Sequence, residues 1–301
     1  MEDDALQNPH DKFFKESFGR KEVARSFIQE YLPGKLHKLL DLKTLEILKD
    51  TYIDKELSEH FSDILYRIKI SGKVSYIYLL FEHKSYVDEW VGFQLLRNMV
   101  KIWEGYRKQN KKAKKLPVIM PIVIYHGREK WNVKNGFAGL VNGVAETVEY
   151  VPHFKSEIFD ISHIPDEQIK GEILLRVHFL LQKYIFRPDL FEKIHEIFDI
   201  LRALSSKNTA MEYIEVMLRY MTASVDSKRA NDFRTEIEKA LKDGGDIMPT
   251  IAEKWVQEGK EKRDEEITER MIKAGLDNAE IRNLTGLSIK KIEEIRKSNR
   301  Q

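Results

Sequence analysis

Asp63-Ile64-Leu65-Tyr66-Arg67-Ile68-Lys69-Ile70-Ser71-Gly72-Lys73-Val74-Ser75-Tyr76-Ile77-Tyr78-Leu79-Leu80-Phe81-Glu82-His83-Lys84 is the stretch on which the reading of this chain turns. Two runs of strand-forming residues flank a tight turn, the pattern of an antiparallel hairpin. With Gly72-Lys73 as a two-residue type II′ turn, which wants Gly at its first central position, Ser71 pairs with Val74 and Asp63 falls opposite Glu82. Strand alternation then places Lys84 on the face of Glu82. His83 points away and offers only its backbone carbonyl.

Two carboxylates and a carbonyl form a hard, oxygen-only ligand set, suited to Mg²⁺ or Mn²⁺ and poorly to Zn²⁺. A divalent ion held there lowers the pKa of a bound water and neutralises charge on a phosphate, with Lys84 orienting the attacking water. The plain alternative is a hairpin ion pair worth about 0.2 to 1 kcal/mol. Against it, Glu82-His83-Lys84 ends an apolar strand just before a helix, where α/β sheets bind ligands and unpaired carboxylates are costly.

Outward from the hairpin the chain reads as a mixed α/β core. Asn8 caps a helix with Pro9 in its first turn and Phe13, Phe14 and Phe18 inward; a second helix runs from Lys21 to Tyr31, ended by Pro33-Gly34. Residues 42–54 read equally as a first strand or as a partly irregular stretch. Over 87–109, Val91, Leu95, Met99, Ile102 and Tyr106 recur at helical spacing, with Gln94, Arg97, Lys101 and Lys108 assigned to the polar side. Pro117 to Tyr125 is apolar without alternation, as in a strand covered on both faces, and Pro121 implies a bulge or a gap in its ladder. Helix, strand, hairpin, helix, strand implies a right-handed crossover and resembles the core of the restriction-endonuclease-like fold. Residues 127–156 read as a loop or lid, and 156–164 as one more strand. The rest is helical, giving a core at 1–164, a helical extension packed on it at 165–243, and beyond Gly244-Gly245 a C-terminal module at 244–301.

The 301 residues carry 51 Lys and Arg against 49 Asp and Glu, a net charge of +2. Such a balance exerts no global pull on nucleic acid, so a binding surface must come from local clustering. The absence of Cys excludes disulfide scaffolds, thiolate zinc sites and thiol catalysis. No apolar run is long enough to span a bilayer, and the acidic start Met1-Glu2-Asp3-Asp4 is unlike a secretory signal, so a cytoplasmic protein is expected.

Pro9-His10-Asp11-Lys12-Phe13-Phe14-Lys15, the Asp63 strand, Phe81-Glu82-His83-Lys84-Ser85, the Gln94 to Trp103 helix, Pro121 to Gly127 and Leu284-Thr285-Gly286-Leu287-Ser288 together resemble the Rpn family of recombination-promoting, transposase-like nucleases in the PD-(D/E)XK superfamily. The resemblance implies Mg²⁺-dependent cleavage of phosphodiester bonds in DNA, duplex above all, with Asp63, Glu82 and the His83 carbonyl as ligands and Lys84 assisting water. Ser62 stands where the eponymous Pro is expected, and relatives with Gln-x-x-x-Tyr on the core helix are matched here by Gln94 and Asn98, leaving the Tyr role absent or taken by Arg97. Two other readings stay open: an inactive DNA-binding or assembly protein, and a nuclease acting on RNA.

Asp11 would be a further acidic residue of the site, although its place in a capped first turn explains it as well. Gln94 and Arg97 would reach a phosphate, or be ordinary polar residues of an amphipathic helix. Lys111, Lys112, Lys114 and Lys115, in the densest positive run, would track a DNA backbone or cover a solvated loop. His83 and His126 stand at strand ends, where a structural role is expected. At the C-terminus, Asp277 to Glu280 forms a capping box, Ile281 and Leu284 face inward, Gly286 turns the chain, and Ser288 caps a helix with Ile289, Ile292 and Ile295. Arg282, Lys290, Lys291, Arg296 and Lys297 would let this helix-turn-helix outline grip DNA. The alternative of equal weight is self-association into a homo-oligomer.

Overall fold

The computed structural model describes residues 8–48, 63–83, 87–133, 137–142, 145–204, 207–224, 235–237, 239–240, 264–265 and 267–298, with the side chains of 81–83, 145–146, 148, 207 and 298 excepted. The chain divides into two compact units, Met1–Arg234 and Thr235–Gln301.

In the first unit, α1 (Pro9–Phe18) starts on Asn8, whose side chain accepts from the His10 N–H at 3.1 Å. It is followed by α2 (Lys21–Tyr31) and the short α3 (Gly34–His37). Then come β1 (Leu40–Leu48), β2 (Ile64–Ile70), β3 (Lys73–His83), the long α4 (Val91–Gln109), β4 (Ile119–His126) and β5 (Glu157–Asp160). Among the described residues of the unit, α5 (Ile173–Tyr184), α6 (Leu190–Arg202) and α7 (Lys207–Ser224) follow. The strands form one sheet in the order β1-β2-β3-β4-β5, antiparallel on the β1–β2–β3 side and parallel across β3–β4–β5. This is a mixed sheet flanked by helices, as expected of a nuclease-like α/β core.

One face is covered by α4, whose Val91, Leu95, Met99 and Ile102 pack on Leu65, Tyr76, Tyr78, Leu80, Ile119 and Val123. The spacing of those four residues is the helical stripe that the sequence shows. Aromatic residues hold the opposite side: the Tyr66 hydroxyl donates to the Phe18 carbonyl at 2.6 Å, Phe27 meets Phe159 edge-on at 5.2 Å, and Phe13 stacks on Tyr220 of α7 at 4.3 Å.

Two irregularities in the sheet have local causes. The β1–β2 register shifts between Asp41 and Glu46, where the Thr44 hydroxyl accepts from the Lys69 N–H at 2.9 Å and donates to the Asp41 carbonyl at 2.7 Å, standing in for the ladder. The bulge expected at Pro121 is not formed, since the β3–β4 register runs unbroken through it. The Tyr76 N–H donates to the Val118 carbonyl at 2.8 Å, so alternation aims the Pro121 nitrogen toward β5, whose pairing begins only at Ile122. A missing N–H there interrupts nothing.

In the second unit, Asp277 and Glu280 form the expected capping box at the start of α8 (Asn278–Thr285), and Gly286, at φ 74°, ends that helix before α9 (Ile289–Ser298). Ile281, Ile292 and Ile295 are buried, but Leu284 and Ile289 are exposed. The inward placing of Leu284 is therefore corrected: two short helices close over one narrow stripe and leave the residues beside the turn outside. Among the described residues no helix is long and apolar enough to cross a membrane.

Candidate active site

Asp63 directly precedes β2, and the position of everything around it follows from the hairpin turn. Ile70 pairs with Lys73 and Ile64 with Leu79, so the central turn residues are Ser71 and Gly72, both at positive φ (48° and 78°). This is a type I′ turn, whose twist matches that of the strands it joins. The expected type II′ turn at Gly72-Lys73 is replaced, and the register moves by two residues. Continued by one step, it puts Asp63 opposite Leu80 instead of Glu82. An even shift keeps every residue on its expected face.

The shift gives Asp63 a different neighbour. Tyr78 becomes its diagonal partner on β3, within reach of a long side chain, and the Tyr78 hydroxyl donates to Asp63 Oδ2. Asn98 of α4 completes the group: its Nδ2 donates to the Tyr78 hydroxyl oxygen at 2.6 Å and lies 3.5 Å from Asp63 Oδ2. Tyr78 is 1 % exposed and Asn98 0 %. Burial, and after it the charge of Asp63, pushes the Tyr78 phenol well above its usual range, so it stays protonated as a donor.

Gln94 stands one helical turn before Asn98. Its Nε2 is buried and has no hydrogen-bond partner among the described residues, so the expected place on the outer polar side of α4 is corrected. Four residues on, Asn98 reaches Tyr78 and Asp63, and Gln94 shares its face of the helix. Arg97 is exposed, and its charge acts on Tyr78.

Glu82 pairs in register with Tyr125, and His83 with His126, at the far end of β3 and β4. Position 82 lies two residues beyond Leu80 on the same strand face, diagonal to Asp63 at about 7 to 8 Å between Cα atoms. The side chains of Glu82 and His83 and the whole of Lys84 lie outside the described residues. The described residues alone contain no cluster of three or more potential metal ligands.

Asp11 is in the first turn of α1. That turn reaches the same end of the sheet, where the rings of His10 and His126 lie 5.4 Å apart and His10 Nδ1 meets the Tyr220 hydroxyl at 2.7 Å. His126 is buried and stacks on Phe186 at 5.4 Å, a packing role.

Lys111, Lys112, Lys114 and Lys115 are exposed but are not brought to Asp63. Their loop joins the end of α4 to the start of β4, beside Tyr76. From Tyr76 to Glu82 the strand runs about 20 Å. In the second unit, two of the five basic residues serve their own fold: Lys291 pairs with Glu265 at 2.7 Å, and Arg296 donates to the Leu276 carbonyl at 2.7 Å.

Tyr78 and Asn98 are the functional candidates that sequence reasoning missed. Their signals were present, since Tyr78 shares the strand parity of Glu82 and Asn98 follows Gln94 by four residues.

Comparison with known proteins places the chain among recognised relatives. The family model described as "Putative transposase, YhgA-like" matches residues 8–212, which span the sheet and its helices. Recombination-promoting nuclease RpnA of Escherichia coli (strain K12) is 28 % identical over 287 residues, covering 93 % of this chain and 94 % of the relative. Recombination-promoting nuclease RpnD of Escherichia coli O157:H7 is 27 % identical over 251 residues, 82 % of this chain and 93 % of the relative. Inactive recombination-promoting nuclease-like protein RpnE of Escherichia coli (strain K12) is 28 % identical over 265 residues, 86 % of this chain and 85 % of the relative. No solved structure matches. With the matched region containing Asp63, Tyr78, Asn98 and the ends of β3 and β4, the chain belongs to the YhgA-like transposase family, among whose relatives are the Rpn recombination-promoting nucleases.

Proposed function

We propose that this chain is a Mg²⁺-dependent endonuclease that hydrolyses phosphodiester bonds in DNA during recombination. The observation that carries the reading is the half-buried Asp63 carboxylate at the sheet end, oriented by a hydroxyl and an amide, with Glu82 diagonal to it. Neutral donors orient a carboxylate without discharging it, which fits a hard divalent cation taking oxygen ligands. Asp63, Glu82 and the His83 carbonyl would hold Mg²⁺, or Mn²⁺ in its place.

When bound, the ion supplies a more acidic water and neutralises charge on the phosphate. Lys84 would steady that water. Gln94 would donate its buried amide toward the reacting phosphate, and Arg97 would hold a neighbouring phosphate at the rim. Asp11 would enter as an additional acidic group from the α1 end. Lys111, Lys112, Lys114 and Lys115, about 20 Å away along the strands, would bind the duplex some distance from the cut.

The test is cleavage of plasmid DNA with Mg²⁺ or EDTA by the parent, Asp63→Ala and Glu82→Ala proteins. Mg²⁺-dependent nicking lost in both folded variants is the expected result. Equal traces from all three would favour the assembly-protein reading, which the relative named inactive also represents. Preference for RNA over duplex DNA in the same assay would redirect the substrate.

A further inference from the structure

We infer that Tyr78, held by Asn98, is a positioning residue that sets the orientation of the Asp63 carboxylate for its cation. The inference rests on the nuclease reading above and adds to it a residue pair outside the metal-ligand set.

Three observations converge on it. The Tyr78 hydroxyl donates to one oxygen only, Oδ2, leaving Oδ1 outside this hydrogen bond. The same hydroxyl accepts from Asn98 Nδ2 at 2.6 Å, so its proton has one place to go, the carboxylate. Both side chains are buried in the α4 face of the sheet, where water offers no competing orientation. A carboxylate on the residue that leads into a strand has two free side-chain torsions, and the pair removes that freedom before a cation arrives.

The turn makes the arrangement possible. In the type I′ register Asp63 lies diagonal to Tyr78. In a type II′ register the two would stand two residues further apart along the strands, beyond hydrogen-bond reach. Asn98 lies four residues after Gln94, so the same helix face delivers both amides to one sheet end.

The test titrates Mn²⁺ alone into the full-length parent, Tyr78→Phe, Asn98→Ala and the double variant by calorimetry. Groups that orient a metal ligand change affinity by about 10- to 100-fold when removed, and that loss is expected for Tyr78→Phe. Asn98→Ala should lose less, and the double variant no more than Tyr78→Phe, because Asn98 acts through Tyr78. The cleavage rate of Tyr78→Phe should recover toward the parent's at saturating Mn²⁺.

Parental Mn²⁺ affinity in a folded Tyr78→Phe, with only a lower melting temperature, would overturn the inference and leave the nuclease reading intact. A parent with no saturable Mn²⁺ uptake would overturn both. Should Tyr78→Phe fail to fold, parental affinity in Asn98→Ala would overturn it in the same way.

Discussion

Asp63 and His178 show how differently this fold treats two polar side chains it encloses. Asp63, half-buried just before β2, receives donors from Tyr78 and Asn98. His178 is fully buried in α5, stacked on Phe13 at 4.6 Å and edge-on to Phe18 at 5.4 Å, with neither ring nitrogen hydrogen-bonded among the described residues. Burial pulls its pKa from 6.5 down to about 3, so the folded protein keeps it neutral. An unfolded chain takes up that proton as the pH falls below about 6.5, so stability present above that pH is lost on the way to about 3, by up to about 1.4 kcal/mol per pH unit. His178→Leu should be as stable as the parent or better at pH 7.5, since it removes buried groups without partners. The variant should also lose about 1 kcal/mol less between about pH 6.5 and 5.5. Urea unfolding of both proteins at the two pH values measures this; parallel losses would show that His178 does not carry the acid sensitivity. Residue type and spacing single out Asp63, Glu82 and Lys84 as candidates in the sequence. Asp63's partners were not, because a hydroxyl donor on a strand is indistinguishable from a core Tyr until the register is known.

At the scale of elements, helices whose apolar stripe was long and regular are where periodicity placed them, as α2 and α4 show. Gln94 was misplaced because a polarity rule sends amides to solvent, and it fails where polar residues gather at a site. The hairpin was recognised with the wrong turn. Gly72 satisfies either turn type, and the choice fell to Ser71, which takes a positive φ of 48° while its N–H donates to the Leu39 carbonyl at 2.9 Å. Gly72 itself stands at φ 78° with open space where a Cβ would go, so conformation alone sets the cost of a side chain. Gly72→Ala should destabilise by about 1 to 2 kcal/mol, and Gly72→Asn by less, since Asn enters the left-handed region more readily. Chemical denaturation of the three proteins decides it; equal losses for Ala and Asn would place the cost elsewhere than in φ.

Across the whole molecule, the sheet separates the candidate chemistry from the densest basic run. Asp63 and Glu82 stand at one end, and Lys111, Lys112, Lys114 and Lys115 lead into the other. Replacing the four lysines by Gln should weaken DNA binding and flatten its salt dependence, by up to about 0.9 in the log–log slope for each phosphate no longer neutralised. Single-turnover cleavage at saturating DNA should stay near the parent's rate. An unchanged salt slope in anisotropy titrations would remove the loop from the DNA path, and a collapsed cleavage rate would show it reaches the site. The sequence by itself determined the α/β class, the hairpin and the crossover helix, because apolar periodicity and local turn and cap chemistry are written within a few residues. Only the tertiary structure decided the turn register, the Tyr78–Asn98 support of Asp63, the inward place of Gln94 and the remoteness of the lysine loop. Each depends on which strand lies beside which and on where a helix crosses the sheet, a consequence of packing between residues far apart in the chain.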